Sequence, residues 1–261
     1  MSYSNLPPWV VLHIPHDSTD IPDQVRTQFL LSDSDLQLEL QRMTDHSTHA
    51  LFAEPQSDAT VIRAPVSRLV VDVERFADDA QEPMAARGMG AVYEVTSHLA
   101  PLSRRLSSEE RETLMRDWYH PHHGRLEAAV TSAVDRYNRC LVIDGHSFPS
   151  LALPYEFADP AATRPDICIG TDAFHTSGNL ASAFAEAFQR EGWSVSLNEP
   201  FAGALVPRSR YRQDPQVHAV MVEVNRRLYL HELDATPLPT FATVAERVRN
   251  CCVAAIAACK P

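Results

Sequence analysis

The stretch that most constrains this chain is an apolar run that stops abruptly at a carboxylate, a glycine and an imidazole: Cys140-Leu-Val-Ile-Asp144-Gly145-His146-Ser147. Consecutive apolar residues without polar alternation read as a strand buried on both faces, as in a parallel sheet covered by helices. Such sheets bind ligands at the carboxyl ends of their strands. This strand therefore delivers Asp144 and His146 to the functional edge. The first hydrophobic run, Trp9-Val-Val-Leu-His13-Ile-Pro15-His16-Asp17-Ser18, ends in the same way. Two strand ends that each carry His and Asp predict a metal site.

The rest of the chain alternates strand and helix signals. Strands are expected at 9–14, 68–73, 140–144, 193–197 and 217–224. An amphipathic helix is expected over 33–52. Ser107-Ser-Glu-Glu110 fits a capping box and starts another helix that runs towards Trp118, where Pro121 interrupts it. A further helix carries Leu126, Val130, Val134 and Tyr137. Asn179 is the expected cap of the next, with Leu180, Phe184 and Phe188. The last, 241–259, shows Val244, Val248, Cys252 and Ile256 at i, i+4 spacing. Alternation over the whole length predicts an α/β three-layer sandwich with a mostly parallel central sheet, as one domain over 1–261. The irregular stretches 76–105 and 147–178 are long enough to predict site loops.

Charge and composition exclude several classes. With 23 basic against 34 acidic residues and a net charge of -11, nucleic acid is excluded as the main partner. No apolar run approaches the ~20 residues of a membrane span. The opening Met-Ser-Tyr-Ser-Asn-Leu-Pro-Pro lacks a leader pattern, so a cytoplasmic protein is expected. The 5 cysteines, at 140, 168, 251, 252 and 259, show no C-x-x-C spacing and read as reduced packing residues. The site must then be built from histidines and carboxylates.

Of the 12 histidines, those at 13, 16, 46, 49, 120, 122 and 123 cluster. His16 and His146 each follow a strand and sit beside Asp and Ser, which favours them as ligands. Thr44-Asp45-His46-Ser47-Thr48-His49 offers an oxygen donor, with Asp45 and His49 on one helix face. Asp45 with two imidazoles makes an open zinc set, and His46 and His49 are fallback ligands. Glu223, in Val217-His-Ala-Val-Met-Val-Glu223-Val-Asn225-Arg226, needs a cationic or metal-linked partner if buried. Beside a metal it would serve as general base; a salt bridge to Arg226 or Arg75 is the structural alternative. Leu69-Val-Val-Asp72-Val-Glu74-Arg75 brings another charged strand end, in which Arg75 can grip a carboxylate and Asp72 can hold Arg75 or a ligand His. Arg208 and Arg210 add to a cationic pocket that fits an anionic substrate.

Together these segments resemble the N-formylglutamate amidohydrolase family. The matching pieces are His13-Ile-Pro-His16-Asp-Ser18, Thr44-Asp45-His46, Leu69-Val-Val-Asp72-Val-Glu-Arg75 and Trp118-Tyr-His120-Pro-His-His123. They continue with Ile143-Asp144-Gly-His146-Ser147, Asp166-Ile-Cys-Ile-Gly170-Thr171, Asn198-Glu-Pro-Phe201-Ala-Gly203-Ala-Leu-Val-Pro-Arg208 and Val217-His218-Ala-Val-Met-Val-Glu223.

The resemblance implies the fold of zinc exopeptidases and cell-wall amidases (phosphorylase/hydrolase-like) and a metal-dependent amidohydrolase acting on an N-formyl or N-acyl amino acid. Carried over, it makes His16, Asp45 and His146 the ligands of one Zn2+ or another divalent ion, with Asp72 and Glu74 as rivals for the acidic slot. Glu223 becomes the base, and His218 or His123 stabilises the oxyanion. Arg75, Arg208, Ser18 and Asp72 become the substrate contacts. The expected partner is a small anionic acyl amino acid, with no nucleic acid and no membrane. The alternatives are a cell-wall or peptide amidase of the same fold, or a non-catalytic metal- or ligand-binding protein. Where the family's histidine-breakdown enzymes carry Asp-Leu-Asn-Arg, this chain reads Asp72-Val-Glu74-Arg75.

Overall fold

Successive side chains of a strand point to opposite faces, so the register of the central sheet decides which residues can meet. The computed structural model describes residues 5–54, 57–159 and 161–259; the first residues of the segment read for a leader, Met1–Ser4, lie outside them. Six strands form the sheet: β1 (Val10–Ile14), β2 (Thr60–Arg63), β3 (Cys140–Phe148), β4 (Ile167–Gly170), β5 (Val195–Leu197) and β6 (Val217–Asn225). Their order is β2-β1-β3-β6-β4-β5, with β4 antiparallel to β6 and every other pair parallel. The flanking helices are α1 (Asp23–Arg26), α2 (Asp33–Met43), α3 (Thr48–Phe52), α4 (Ser108–Leu114), α5 (His120–Tyr137), α6 (Gly178–Arg190) and α7 (Phe241–Ala258).

One sheet face, with Leu12, Ile14, Ile143 and Val222, packs against Phe52 of α3, Phe184 of α6 and Val248 of α7. The other, with Val11, Val142 and Ala219, packs against Leu126, Val130 and Val134 of α5. These are the three layers. A separate apolar cluster joins Leu36, Leu40 and Met43 of α2 to Leu69, Val71, Met89 and Tyr93, outside the sheet. Among the described residues no helix is long and apolar enough to cross a membrane. The five cysteines are free, four of them buried, as packing residues should be.

Several local expectations change. Residues 68–73 are not a strand: the Val70 N–H turns back to the Ser67 carbonyl at 2.9 Å, so the run is buried as a turn in the α2 cluster. Burial without a strand partner satisfies its apolar residues equally well. The helix expected over 33–52 is two. Thr44 is extended and Ser47 is left-handed at φ 64, and the break lets the Asp45 N–H donate to the His16 carbonyl at 2.9 Å. The short strands β2 and β4 have too few residues to show a period. Ser177, not Asn179, caps α6 by accepting from the Leu180 N–H.

The Ser107–Glu110 capping box is present. From it the helix continues through a π-helical turn, Met115–Tyr119, into α5. Pro121 has no N–H to give, and the wider turn stands just where that donor is missing, so the proline widens the helix rather than ending it.

Gly170, at the end of β4, has no room for a side chain. A Cβ there would stand 2.4 Å from the Gly203 carbonyl oxygen. Gly170→Ala should therefore lower stability by about 1–3 kcal/mol through overpacking. Urea denaturation checks this, and an unchanged midpoint would show that the 203 segment gives way freely.

Candidate metal centre and cavity

Register assembles the site. Across β1 and β3 His13 pairs with Asp144, and across β3 and β6 His146 pairs with Glu223. By alternation these side chains share the α5 face with Val11, Val142 and Ala219. His16 lies just beyond β1, and Asp45 joins it through the break after α2. Glu74 and Arg75 are braced from the α4–α5 helix, where the Tyr119 hydroxyl donates to the Arg75 carbonyl at 2.7 Å and His123 Nε2–H donates to the Val73 carbonyl at 2.9 Å.

His16, Asp45 and His146 form a buried group that can hold a metal ion. His16 Nε2–H donates to Asp72 Oδ1 at 2.9 Å, which leaves the Nδ1 lone pair for the group. That Nδ1 is buried and has no hydrogen-bond partner. His146 Nε2–H faces Asp144 Oδ1 and Glu74 Oε2, each at 3.1 Å, so its Nδ1 also turns to Asp45. The Asp45 Oδ2 lies 3.1 Å from His146 Nδ1 and 3.6 Å from His16 Nδ1. Metal–ligand bonds of about 2.0–2.2 Å at tetrahedral angles put donors roughly 3.4 Å apart. The residues present therefore fit a small divalent ion. Each imidazole is backed by a carboxylate, the arrangement that fixes the tautomer of a ligand histidine.

A neighbouring group, His13, Glu74 and Asp144, also gathers metal-type donors. Its shortest separation, 2.7 Å between His13 Nδ1 and Asp144 Oδ1, is a hydrogen-bond length. This group is better described as the support of His146 than as a second metal site. Asp144 also accepts from the Leu205 N–H at 3.0 Å, and His13 Nε2 meets His122 Nε2 at 2.8 Å.

The electrostatics follow from these contacts. Burial opposes the charge on Asp45, but the neighbouring imidazoles of His146 and His16 and the charge of Arg226 hold its carboxyl well below the usual range. Burial opposes the charge on Asp72 too, and Arg68 and His16 outweigh it. His146 is disfavoured as a cation by burial yet raised well above the ordinary imidazole range by Glu74 and Asp144. Glu223 goes the other way: burial, with Asp45 and Glu74 adding, pushes it up to about 8 against the pull of His146 and Arg226. Its Oε2 is buried with no partner.

These groups open on a cavity of about 760 Å³ whose lining includes His16, Asp45, His146, Glu223, Arg75, Arg208 and His123. Five of the expected site residues, counting the fallback ligand His46, fall elsewhere or are otherwise engaged. His218 is exposed near the start of β6, on the face opposite Glu223 and away from the carboxyl edge. Ser18 donates to the Pro65 carbonyl at 3.1 Å and does not line the cavity. Asp72 is fully buried and holds His16, Arg68 and the Tyr93 hydroxyl rather than facing a substrate. His123 lines the cavity, but burial lowers it to about 4, so it is neutral and its one N–H is given to Val73. It has no proton left for an oxyanion. His46 donates to the Gln41 carbonyl at 3.1 Å and stands outside the triad.

Arg226 is the residue whose role the sequence hides. Its Nη2 donates to Asp45 Oδ1 at 2.9 Å and its Nε to Ser147 Oγ at 3.2 Å, so it orients the acidic donor, not Glu223. Arg68 and Tyr93 do the same for Asp72. Their signal is ordinary, since a lone Arg or Tyr has many uses. The two irregular stretches do line the cavity, through Phe76, Glu82, Met84 and Arg87 on one side and Phe148, Leu153 and Tyr155 on the other.

The sequence profile of the N-formylglutamate amidohydrolase family matches residues 9–230. An N-formylglutamate deformylase of Pseudomonas aeruginosa is 28% identical over 250 residues, spanning 92% of this chain and 88% of that protein. One from Pseudomonas putida is 27% identical over 190 residues, or 67% and 66% of the two chains. Among solved structures, N-formylglutamate amidohydrolase from Ralstonia eutropha JMP134 superposes with a TM-score of 0.81 at 21% identity, covering 96% and 92% of the chains. At that identity the likeness speaks for the fold.

The buried imidazoles beside the triad give the fold a pH dependence. Burial, with the neighbouring His13, lowers His122 to about 2 and His123 to about 4, while the unfolded chain titrates near 6.5. Their contribution is whole above 6.5 and is lost as pH falls towards the folded values, at up to about 1.4 kcal/mol per pH unit per group. Between pH 6.5 and 5, where His122 is protonated only in the unfolded chain, the urea midpoint of His122→Gln should fall less with pH than that of the wild-type chain. An equal slope in the variant would mean that other groups carry it.

Proposed function

Since the chain belongs to the N-formylglutamate amidohydrolase family, we propose that it hydrolyses the amide of an N-formyl or N-acyl amino acid, with N-formylglutamate as the reference substrate, and that the whole chain is one such domain. The observation that carries this reading is the orphaned Nδ1 of His16 facing Asp45 and His146, with the unpartnered Glu223 carboxylate opposite His146 on the next strand. In this reading His16, Asp45 and His146 hold one divalent ion, and two imidazoles with one carboxylate suit zinc. Bound there, it supplies Lewis acidity, which polarises an acyl carbonyl and acidifies water.

Glu223 acts as general base at Oε2, taking a proton from the attacking water and passing it to the leaving nitrogen. Burial keeps its proton affinity high, about 8, and a cation at the triad would bring it towards neutrality, where a base works best. Asp72 and Asp144 hold the ligand imidazoles in the tautomers that aim Nδ1 at the ion. Arg208 binds the substrate carboxylate: it lines the cavity and makes no ion pair or hydrogen bond among the described residues. Arg75 adds positive potential, although Asp72 and Glu82 each stand 3.7 Å from its guanidinium.

Glu223→Gln should keep close to the wild-type metal content and lose turnover by about 10²–10⁴-fold. His16→Ala and His146→Ala should lose both. Elemental analysis beside initial rates on N-formylglutamate separates the cases, and normal turnover in Glu223→Gln would remove the assigned base.

A further inference from the structure

The cavity is larger and more apolar than a short dicarboxylate needs. N-formylglutamate has about a dozen non-hydrogen atoms, whereas cavities of a few hundred to about a thousand cubic ångströms take far bulkier, drug-sized ligands. The space here is about 760 Å³, and Phe76, Met84, Leu153, Tyr155, Phe201 and Met221 are part of its wall. Phe76 remains 43% exposed on that wall, and Phe157, 61% exposed, carries the guanidinium of the cavity residue Arg87 at 4.4 Å from its ring centroid. Apolar surface left open in a concave site marks where an apolar part of a ligand goes.

The charges lining the cavity point the same way. Arg226 is bound to Asp45, Arg42 faces Glu39 at 3.7 Å, Arg68 is bound to Asp72, and Arg75 is flanked by two carboxylates. Arg87 is stacked on an aromatic ring. Arg208 and the stacked Arg87 are thus the cavity guanidinium groups with no carboxylate partner among the described residues, and Arg208 is taken as the one that meets the α-carboxylate. An apolar side chain of the substrate would meet the aromatic and methionine wall.

On the reading that this site hydrolyses N-acyl amino acids, we infer that it accepts those whose amino-acid side chain is large and apolar, and selects them over short ones. The α-carboxylate sits at Arg208, the acyl carbon at the triad beside Glu223, and the side chain against Phe76, Met84 and Leu153. Water adds to the acyl carbon, the C–N bond breaks, and the products are the free acid and the free amino acid. No other reactant is needed.

Initial rates of the full chain with its metal would be compared on N-formyl-L-leucine, N-formyl-L-phenylalanine, N-formyl-L-alanine and N-formyl-L-glutamate. The leucine and phenylalanine compounds should exceed the alanine compound in kcat/KM by about tenfold or more, the scale on which a few buried carbons discriminate. Phe76→Asp, at an exposed position that can fold with a charge, should shrink that ratio. Turnover of N-formylglutamate with leucine and phenylalanine no better than alanine would overturn the inference and leave the amidohydrolase reading standing. Hydrolysis of none of the four would overturn that reading and the inference with it.

Discussion

The parallel register of β1, β3 and β6 is the constraint on which the rest of the structure depends. It sets His13 against Asp144 and His146 against Glu223, on the one sheet face that α5 covers. Charged groups buried this deeply survive only when each has a partner, since removing one partner leaves an uncompensated charge. Each does find one: Asp144 bridges two imidazoles, Asp45 lies between two imidazoles and Arg226, and Asp72 ties His16 to Arg68. Among the buried atoms left without a hydrogen-bond partner, which also include Arg75 Nε and His122 Nδ1, His16 Nδ1 and Glu223 Oε2 are the two that face the reaction in the proposed function.

Around this centre the chain spends irregular backbone where an exact position matters. The break after α2 takes Asp45 out of a helix and sets it beside His16 through a backbone bond. The turn over 68–73 buries its valines and leaves Asp72 pointing inwards. The π-helical turn ahead of Pro121 carries the helix past a missing donor, and the same helix braces Val73 and Arg75. Rigid layers and pinned loops together hold donors at separations suited to an ion, as preorganised sites require.

Much of this was legible in the residues. His16 just past β1, the carboxylate in β6, the capping box at Ser107 and the apolar stripes of α5, α6 and α7 stand where periodicity and residue type put them, whereas β3 does not stop at Asp144 but runs on to Phe148, so Asp144 and His146 lie within the strand. The resemblance implied Asp45 as the acidic ligand, and the structure brings its carboxylate together with His16 and His146; the layered α/β fold read from the alternation agrees with the structure. Other features were not legible. Leu69-Val-Val reads as strand because burial and strand leave the same mark on a short apolar run. His218 shares a strand with Glu223 yet faces away, because five residues apart on a strand means opposite faces. His123 is in the cavity but has already given its proton to a backbone carbonyl.

The sequence by itself determined what each segment could be: buried strands that carry His and Asp, amphipathic helices, a net charge of -11, and a chemistry of imidazoles, carboxylates and guanidinium groups. Those properties are local, written in hydrophobic period and side-chain type. Only the tertiary structure decided which donor meets which. Arg226 belongs to Asp45, Asp72 supports rather than binds, and Ser18 stays out of the cavity, because pairing depends on strand order, register and the direction of each side chain. These are set by the packing of segments 47 to 181 residues apart, and no local window contains them.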